Sequence, residues 1–402
     1  MRISTQQVYS QNVETMQRQQ AELLHTQQQL STGQRMLAPA DDPVAAAQAL
    51  RTTQVQALGQ QYARNMDTAK SRLEMTDSTL SGITNLYQSA RTSLVQAGDT
   101  SLSDSDRAAI AQTLESDFQQ LMGMANTKDS SGSYLFGGNR DTAQPYSQTA
   151  AGAAYNGDQG QRLLQVAASR QIPVGDNGAN LFERIPTGNG VFATSAGSTN
   201  AGGGVIGPGS VSDPSALTGH AYQLVFHNTG GAVTYDVLDT TLGTTPSSAN
   251  AFPPNGNITV AGMQLSITGA PADGDTFTAA PSANQSVFTT LRNAITALQT
   301  PASSAASRAQ LSMAVAQALS GLDNAATQMQ SSHAKVGASL AELDTLGSAN
   351  SSQDVIYSQQ LSTLQDVDYT KAISDLGAGQ MSLQAAQQSY ALISKLSLFD
   401  YL

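Results

Sequence analysis

A chain of 402 residues with 30 acidic against 19 basic side chains carries a formal charge of -11. That charge opposes binding to a polyanion, and no Lys/Arg cluster with interleaved aromatics offers phosphate or base contacts. The absence of cysteine removes disulfides, thiolate chemistry and zinc ribbons, while Gln, Ser, Thr, Ala, Asn and Gly leave a largely neutral, hydrogen-bonding surface suited to repeated protein contacts.

The first thirty residues hold Gln6, Gln7, Gln11, Asn12 and Glu14 where a secretory signal has its apolar stretch. No window approaches the roughly eighteen apolar residues of a membrane span, so membrane insertion is not expected. Tyr9, Met16, Leu23, Leu30 and Leu37 recur every seven residues, which predicts a helix from about Thr5 to Leu30 that stops at Gly33. Its partner row reads Gln6, Val13, Gln20 and Gln27, and polar residues there cost stability while fixing register, so this helix is marginal alone.

Ala38-Pro39-Ala40-Asp41-Asp42-Pro43 comes next, with two Asp able to cap a helix and Pro43 suited to its first turn. The row Val55, Leu58, Tyr62, Met66, Leu73, Leu80, Ile83, Tyr87 and Leu94 carries this second helix over about 50 residues. Ser103-Asp104-Ser105-Asp106 resembles a capping box and opens a third helix through Ile110, Leu114, Phe118 and Leu121 to about Asn126.

From Tyr134-Leu135-Phe136-Gly137-Gly138 onward the segments are short, β-branched or aromatic, and broken by Gly, Pro and Asn. Leu163 to Ala167, His220 to His227, Ala232 to Leu238 and Met263 to Thr268 read as strands. Thr194 to Gly209 is dominated by Gly, Ser, Ala and Asn and reads as a flexible linker between two β subregions. No Lys or Arg occurs between Arg184 and Arg292. Helical periodicity returns with Val287, Phe288, Leu291, Ile295 and Leu298, breaks at Pro301, and resumes through Leu311, Leu322, Met329, Val336 and Leu343 to about Leu364. A last helix carries Ile373, Leu376, Leu383, Tyr390, Ile393 and Leu396.

Motifs for chemistry are sparse. Gly202-Gly203-Gly204-Val205-Ile206-Gly207 matches G-x-G-x-x-G formally, but follows no apolar strand and opens no helix, so it reads as a loop. His25, His220, His227 and His333 lack ligand spacing. His220 and His227 bracket one strand, and His333 is expected to pack on the helical seam. Asp273-Gly274-Asp275 lacks the further oxygens of a calcium loop and reads as an Asx-capped turn. No catalytic, cofactor-binding or metal-binding residue is expected.

These elements define an α+β fold: an elongated antiparallel helical bundle or coiled-coil rod from both termini with an inserted, mainly β outer domain. Residues 1–40 and 365–402 form terminal helices expected to be disordered in the monomer, 41–139 and 285–364 the helical rod, and 140–284 the β-rich domain with its 194–209 loop. A narrow seam has to lie against another helix, from the opposite end of the chain or from a neighbouring molecule. The glutamines favour the second arrangement, in which Tyr9, Met16, Leu23 and Leu30 at one end and Leu383, Tyr390, Ile393 and Leu396 at the other make subunit contacts.

Several runs carry a specific likeness. They are Met1-Arg2-Ile3-Ser4-Thr5, Gln29-Leu30-Ser31-Thr32-Gly33-Gln34-Arg35, Asp41-Asp42-Pro43-Val44-Ala45-Ala46-Ala47, Tyr134-Leu135-Phe136-Gly137-Gly138, Asp366-Val367-Asp368-Tyr369-Thr370-Lys371-Ala372-Ile373 and the ending Leu396-Ser397-Leu398-Phe399-Asp400-Tyr401-Leu402. On these residues the chain resembles the flagellin-like family of bacterial flagella, closely at both helical ends and loosely in the middle. Gln34 and Met36-Leu37-Ala38 depart from the basic and Ile-Asn pattern more usual in the family.

The resemblance implies an extracellular, structural, non-enzymatic subunit at the junction of hook and filament. It implies export through the flagellar type III channel by an uncleaved N-terminal signal, and no cofactor. Its implied partners are the first hook-associated protein, flagellin, further copies of itself and a cytoplasmic chaperone on the C-terminal helices. A minor filament flagellin and an adhesive β module on a flagellin-like stalk are the alternatives. If the ends are marginal alone, circular dichroism of a chain trimmed of residues 1–40 and 365–402 shows a folded core, and the isolated end peptides give little helical signal. A full, cooperative helical transition in those peptides contradicts the reading.

Overall fold

The computed structural model describes residues 5–99 and 101–395. Six helices, α1 (Thr5–Thr32), α2 (Pro43–Ala97), α3 (Asp104–Ala125), α4 (Val287–Gln299), α5 (Ala305–Gln365) and α6 (Tyr369–Lys395), enclose the β region in sequence. Its strands are β1 (Tyr146–Thr149), β2 (Gly152–Tyr155), β3 (Leu163–Ala167), β4 (Arg170–Pro173), β5 (Ile185–Pro186), β6 (Phe192–Ala196), β7 (Val205–Ile206) and β8 (Ser210–Val211). They continue as β9 (Tyr222–Thr229), β10 (Ala232–Asp239), β11 (Thr244–Ala251), β12 (Asn257–Val260), β13 (Met263–Thr268), β14 (Thr276–Pro281) and β15 (Asn284–Gln285). Two compact units result: residues 1–64 with 345–402, and residues 65–344. The boundaries fall inside α2 and α5, whereas the sequence-based boundaries near 40 and 365 mark where helices end.

In the 65–344 unit the apolar row of α2 turns inward at Met66, Leu73, Leu80, Ile83, Tyr87 and Leu94, the positions that helical spacing selects. The start of α3 is capped reciprocally. Ser103 Oγ accepts from the Asp106 amide and the Asp106 carboxylate accepts from the Ser103 amide, both at 3.2 Å, satisfying two donors the helix itself cannot. Leu114, Phe118 and Leu121 of α3 then meet Phe288, Leu291 and Ile295 of α4. Phe118 and Phe288 pack edge to face at 5.7 Å, and Tyr146 of β1 and Phe182 join Phe288 at 4.9 and 5.7 Å. Arg292 lies over the Phe118 ring at 4.5 Å and binds Glu115 at 2.7 Å, tying α4 to α3 by charge as well as area.

A five-stranded sheet, ordered β11-β10-β9-β14-β6, and a smaller sheet of β12-β13-β7 with β8 share one apolar core. Tyr222, Leu224 and Phe226 on β9 and Met263, Leu265 and Ile267 on β13 alternate inward, as half-buried strands require. Ala309 and Met313 of α5 close this core.

Residues 194–209 are no flexible linker, which corrects the reading from sequence. Thr194 to Ala196 belong to β6, Val205 and Ile206 pair with Thr268 and Ile267, and the turn between them is fastened by Asp275. That carboxylate is 1% exposed and accepts from the amides of Ala201 at 2.8 Å, Gly202 at 3.1 Å and Ala272 at 2.8 Å. Small residues there serve close approach, since a Cβ on Gly202 would collide with the Ala272 amide and the Asp275 carboxylate. Asp273-Gly274-Asp275 is a turn as expected, but its second Asp organises a distant loop.

Tyr134 to Gly138 make one isolated bridge, Lys128 with Tyr134, and otherwise turn. Gly138 adopts φ +70° against Asp158, where a Cβ would meet the carboxylate. Among the histidines, His220 precedes β9 and His227 lies within it, each facing an aspartate of β10: Asp239 at 2.7 Å and Asp236 at 3.2 Å. His333, expected to pack, is half-exposed and reaches Asp77 at 3.1 Å.

The Asp275 anchor makes a quantitative expectation. Replacing a buried carboxylate with three backbone donors by a methyl strands those donors, so Asp275→Ala lowers stability by about 3 kcal/mol or more. A urea midpoint within experimental error of the parent contradicts it.

Candidate assembly surface

The unit of residues 1–64 and 345–402 is built from few inward-facing groups. Helix α1 ends because Gly33 takes φ +73°, its amide returning to the Gln29 carbonyl at 2.9 Å, and a Cβ there would press on the Tyr369 hydroxyl at 3.1 Å. The chain then runs beside the 366–368 connection. The Arg35 amide donates to the Gln365 carbonyl at 2.7 Å, the Val367 amide donates to the Gly33 carbonyl at 3.0 Å, and the Arg35 guanidinium reaches the Leu364 carbonyl at 3.0 Å. Both connections between long helices are thus laced together.

The paired aspartates divide their work. Asp42 caps α2 by accepting from the Ala45 amide at 3.0 Å, while Asp41 accepts from the Leu37 and Ala38 amides at 2.8 Å each and faces His25 at 3.5 Å. Those bonds from the Ala38 and Leu37 amides, with His25 adding a smaller effect, hold the Asp41 carboxyl below its usual range.

Helices α1 and α6 lie antiparallel along one seam. Tyr9 meets Tyr390 edge to face at 5.9 Å, Gln19 Nε2 donates to Ser382 Oγ at 3.0 Å, and Leu23 covers Gly379. Of the residues expected at subunit contacts, Leu23 is buried and Tyr9, Met16, Leu30, Leu383 and Tyr390 are half-buried; Met16, Leu383 and Tyr390 border one hollow along the seam. The seam therefore brings the two groups together within one chain. Ile393 falls in α6 with its side chain outside the described ones, and Leu396 lies outside the described residues.

What the heptad row did not disclose is the opposite face. Sixteen large apolar side chains stay exposed among the described residues, and all but Val95, Leu163, Val191 and Leu242 belong to this unit. Val44, Leu50 and Leu58 on α2, Val355 and Ile356 on α5, and Ile373, Met381 and Leu392 on α6 are among them, Met381 being 68% exposed. The sequence signal was partial: Val44, Leu50, Val355 and Ile356 stand off the predicted rows, whereas Val55, Leu58 and Ile373 were read as inward-facing and lie exposed. Near the lacing, Met36, Leu37, Pro39, Pro43 and Leu50 border an apolar hollow of about 520 Å³. Isolated surface aliphatics need no cause, but twelve of the sixteen on one unit is a concentration of the kind that interaction surfaces show.

Chemistry has little to work with elsewhere. A cavity of about 410 Å³ between β5, β6 and α5 is lined by residues such as Thr187, Thr194, Ser195, Gln285, Asn293, Gln317 and Ser320, and no acid or base borders it. Burial pushes the Tyr155 hydroxyl up to about 12 and raises Tyr87, Tyr146 and Glu183, of which Tyr87 and Tyr146 lie in packed core and none borders that cavity.

Residues 3–141 match the bacterial flagellin N-terminal helical region and residues 319–402 its C-terminal helical region. Over 402 residues the chain is 28% identical to flagellar hook-associated protein 3 of Salmonella typhimurium, spanning 100% of this chain and 99% of that protein. Among solved structures, flagellar hook-associated protein 3 of Legionella pneumophila aligns with a TM-score of 0.73 and 32% identity, covering 78% of this chain and 98% of the other. FlgL of Xanthomonas campestris aligns with a TM-score of 0.73 and 28% identity, covering 77% and 99%.

The lacing sets a pH expectation. A carboxyl with a depressed folded value adds stability that is complete above its unfolded value and lost as pH falls through the folded one. Protection of the Leu37 and Ala38 amides from hydrogen exchange therefore holds at neutral pH, fades below about pH 4, and is missing at neutral pH in Asp41→Ala. Unchanged protection in that variant refutes the role.

Proposed function

The chain belongs to the flagellin-like family, alongside flagellar hook-associated protein 3, and from that membership we propose that it is the structural subunit joining the flagellar hook to the filament. The observation that carries the reading is physical: large apolar side chains gather on the helices of one unit and cover nothing there. Burying most of these twelve half-exposed side chains against neighbours would release on the order of 10 kcal/mol gross, against which ordering and association costs are set.

A subunit with such helices suits passage through a narrow export channel. Its glutamine-rich α1 has only one weakly apolar seam, laid against α6 of the same chain, and its exposed Val13 and Leu24 gain partners only at the assembly site. The neighbours on this reading are the first hook-associated protein on one side, flagellin on the other, and further copies within the layer, through heterologous contacts that repeat without closing a dimer. The exposed faces of α2, α5 and α6 serve these contacts, joined by the solvent-facing edges of Tyr9, Met16, Leu30, Leu383 and Tyr390 and by Leu23, Ile393 and Leu396, the other residues expected at subunit contacts. Before export, a cytoplasmic chaperone covers the C-terminal helices, where Ile373, Met381 and Leu392 would otherwise meet water. No catalytic step is part of this function.

Deleting the gene tests the reading directly. The expected result is intact hooks, no attached filament and filament protein accumulating in the medium. A filament that is merely shorter would make the chain a filament subunit, and unaltered motility would leave it no place in the junction.

A further inference from the structure

Four Asn-Gly pairs occur in the chain: Asn156-Gly157, Asn177-Gly178, Asn189-Gly190 and Asn255-Gly256. This dipeptide is the one most open to self-modification, because glycine's missing side chain lets its backbone nitrogen approach the preceding amide carbon. The attack needs two freedoms at once: a glycine N–H not held by an acceptor, and an asparagine amide able to swing into contact with it.

The fold withholds both at three of the four. The Gly178 amide donates to the Phe136 carbonyl at 2.9 Å, and Asn177, 3% exposed, donates to the Gln159 carbonyl at 3.0 Å while accepting from the Asn180 amide at 2.9 Å. The Gly190 amide donates to the Thr187 carbonyl at 3.3 Å, and the Asn189 side chain accepts from the Val191 and Phe192 amides at 3.0 and 2.9 Å. The Gly256 amide donates to the Pro253 carbonyl at 2.9 Å, its own carbonyl accepts from the Ile267 amide at 2.8 Å, and Asn255, though exposed, accepts through its side-chain oxygen from the Asn257 amide at 3.2 Å.

Asn156-Gly157 differs. Among the described residues, the Gly157 N–H is the only one of these four amides with no acceptor within the chain. Asn156 is exposed, and its side-chain amide makes one bond, 3.1 Å to the hydroxyl of Ser147 at an exposed site.

We propose that Asn156 is a site of spontaneous deamidation, at which the folded chain modifies itself with water as the only co-reactant. The Gly157 nitrogen, giving its proton to solvent, attacks Asn156 Cγ. A C–N bond forms, the Cγ–Nδ2 bond breaks, and ammonia leaves with a proton from water. Water then opens the cyclic imide. Opening at Cγ yields aspartate and opening at the backbone carbonyl yields isoaspartate, the net change being asparagine and water to a carboxylate and ammonium. The product places a negative charge beside Ser147, next to the backbone carbonyl that the Arg140 guanidinium contacts at 3.3 Å. The isoaspartate form also adds a methylene to the chain immediately after β2.

Tryptic peptides of the full-length protein aged at neutral pH separate the question cleanly. Residues 141–162 carry Asn156, 171–184 carry Asn177, and the single peptide 185–292, which has no Lys or Arg before Arg292, carries the other two, resolved by a second protease. The mass difference between amide and carboxyl should appear at Asn156 about tenfold faster than at the other three, since each of those has to open locally first. In urea, where sequence alone sets the rates, all four should converge to within a few-fold. Ser147→Ala, which frees the Asn156 amide, should speed the folded-state reaction, and Asn156→Gln should remove the change from 141–162. Equal rates in the folded chain, a faster rate at Asn177, Asn189 or Asn255, or an Asn156 advantage that survives urea overturns the proposal.

Discussion

Two helices laid side by side have one shared seam, and every apolar residue off that seam has to face something else. This limit governs the unit formed by residues 1–64 and 345–402. Its described buried apolar side chains are Leu23, Ala45, Ala49 and Ala372, three of them alanines, while twelve larger ones remain in solvent. A methyl group contributes too little burial to offset the ordering of a 28-residue and a 27-residue helix. The arrangement is economical only where neighbouring molecules complete it. On the proposed function, assembly is the event that gives these helices their stability, and the structural role rests on packing rather than on any reactive group.

The other unit, residues 65–344, has the opposite economy. Phe118, Phe136, Tyr146, Phe182 and Phe288 converge from α3, α4, β1 and the connecting segments, and the sheets close a second core around Phe192, Phe226 and Phe277. Large rings bury much area for little side-chain entropy, so this unit is self-sufficient by the same physics that leaves the first incomplete. Its polar groups are committed to holding loops. Asp275 gathers three amides, Asp239 accepts from Thr241 and Leu242 at 3.0 Å each, and Asp158 accepts from Asn139 and Gly160 at 2.8 Å each. Carboxylates spent this way serve architecture, and the cavity beside α5 is bordered by hydroxyls and amides that cannot exchange protons near neutral pH.

Glycine runs show how composition misleads. Gly202 to Gly204 look like a tether, because Gly and Ser are the residues of flexible linkers. Here Gly202 and Gly204 are small because the backbone passes against Asp275 and the Phe277 ring, where a side chain has no room. The same ambiguity attaches to Gly137 and Gly138, which read as strand punctuation and prove to be a tight turn over Asp158. A one-dimensional pattern cannot tell a glycine that permits motion from one that permits contact, since the difference lies in what approaches from far along the chain.

Local chemistry alone determined the helices. The seven-residue row of α1, its stop at Gly33, the Ser103–Asp106 box and the return of 3-4 spacing after Gln285 each depend on neighbours within a turn or two, so the sequence displays them completely. Short β-branched and aromatic runs between Gly, Pro and Asn likewise located β3, β10 and β13. Only the tertiary structure decided which side of each helix meets protein and which meets water. It set Tyr9 against Tyr390, and it drew Asp275 to a loop more than seventy positions away. It also left one glycine amide among four without an acceptor. Such outcomes depend on pairings between segments remote in sequence, and periodicity records the need for a partner without recording its identity.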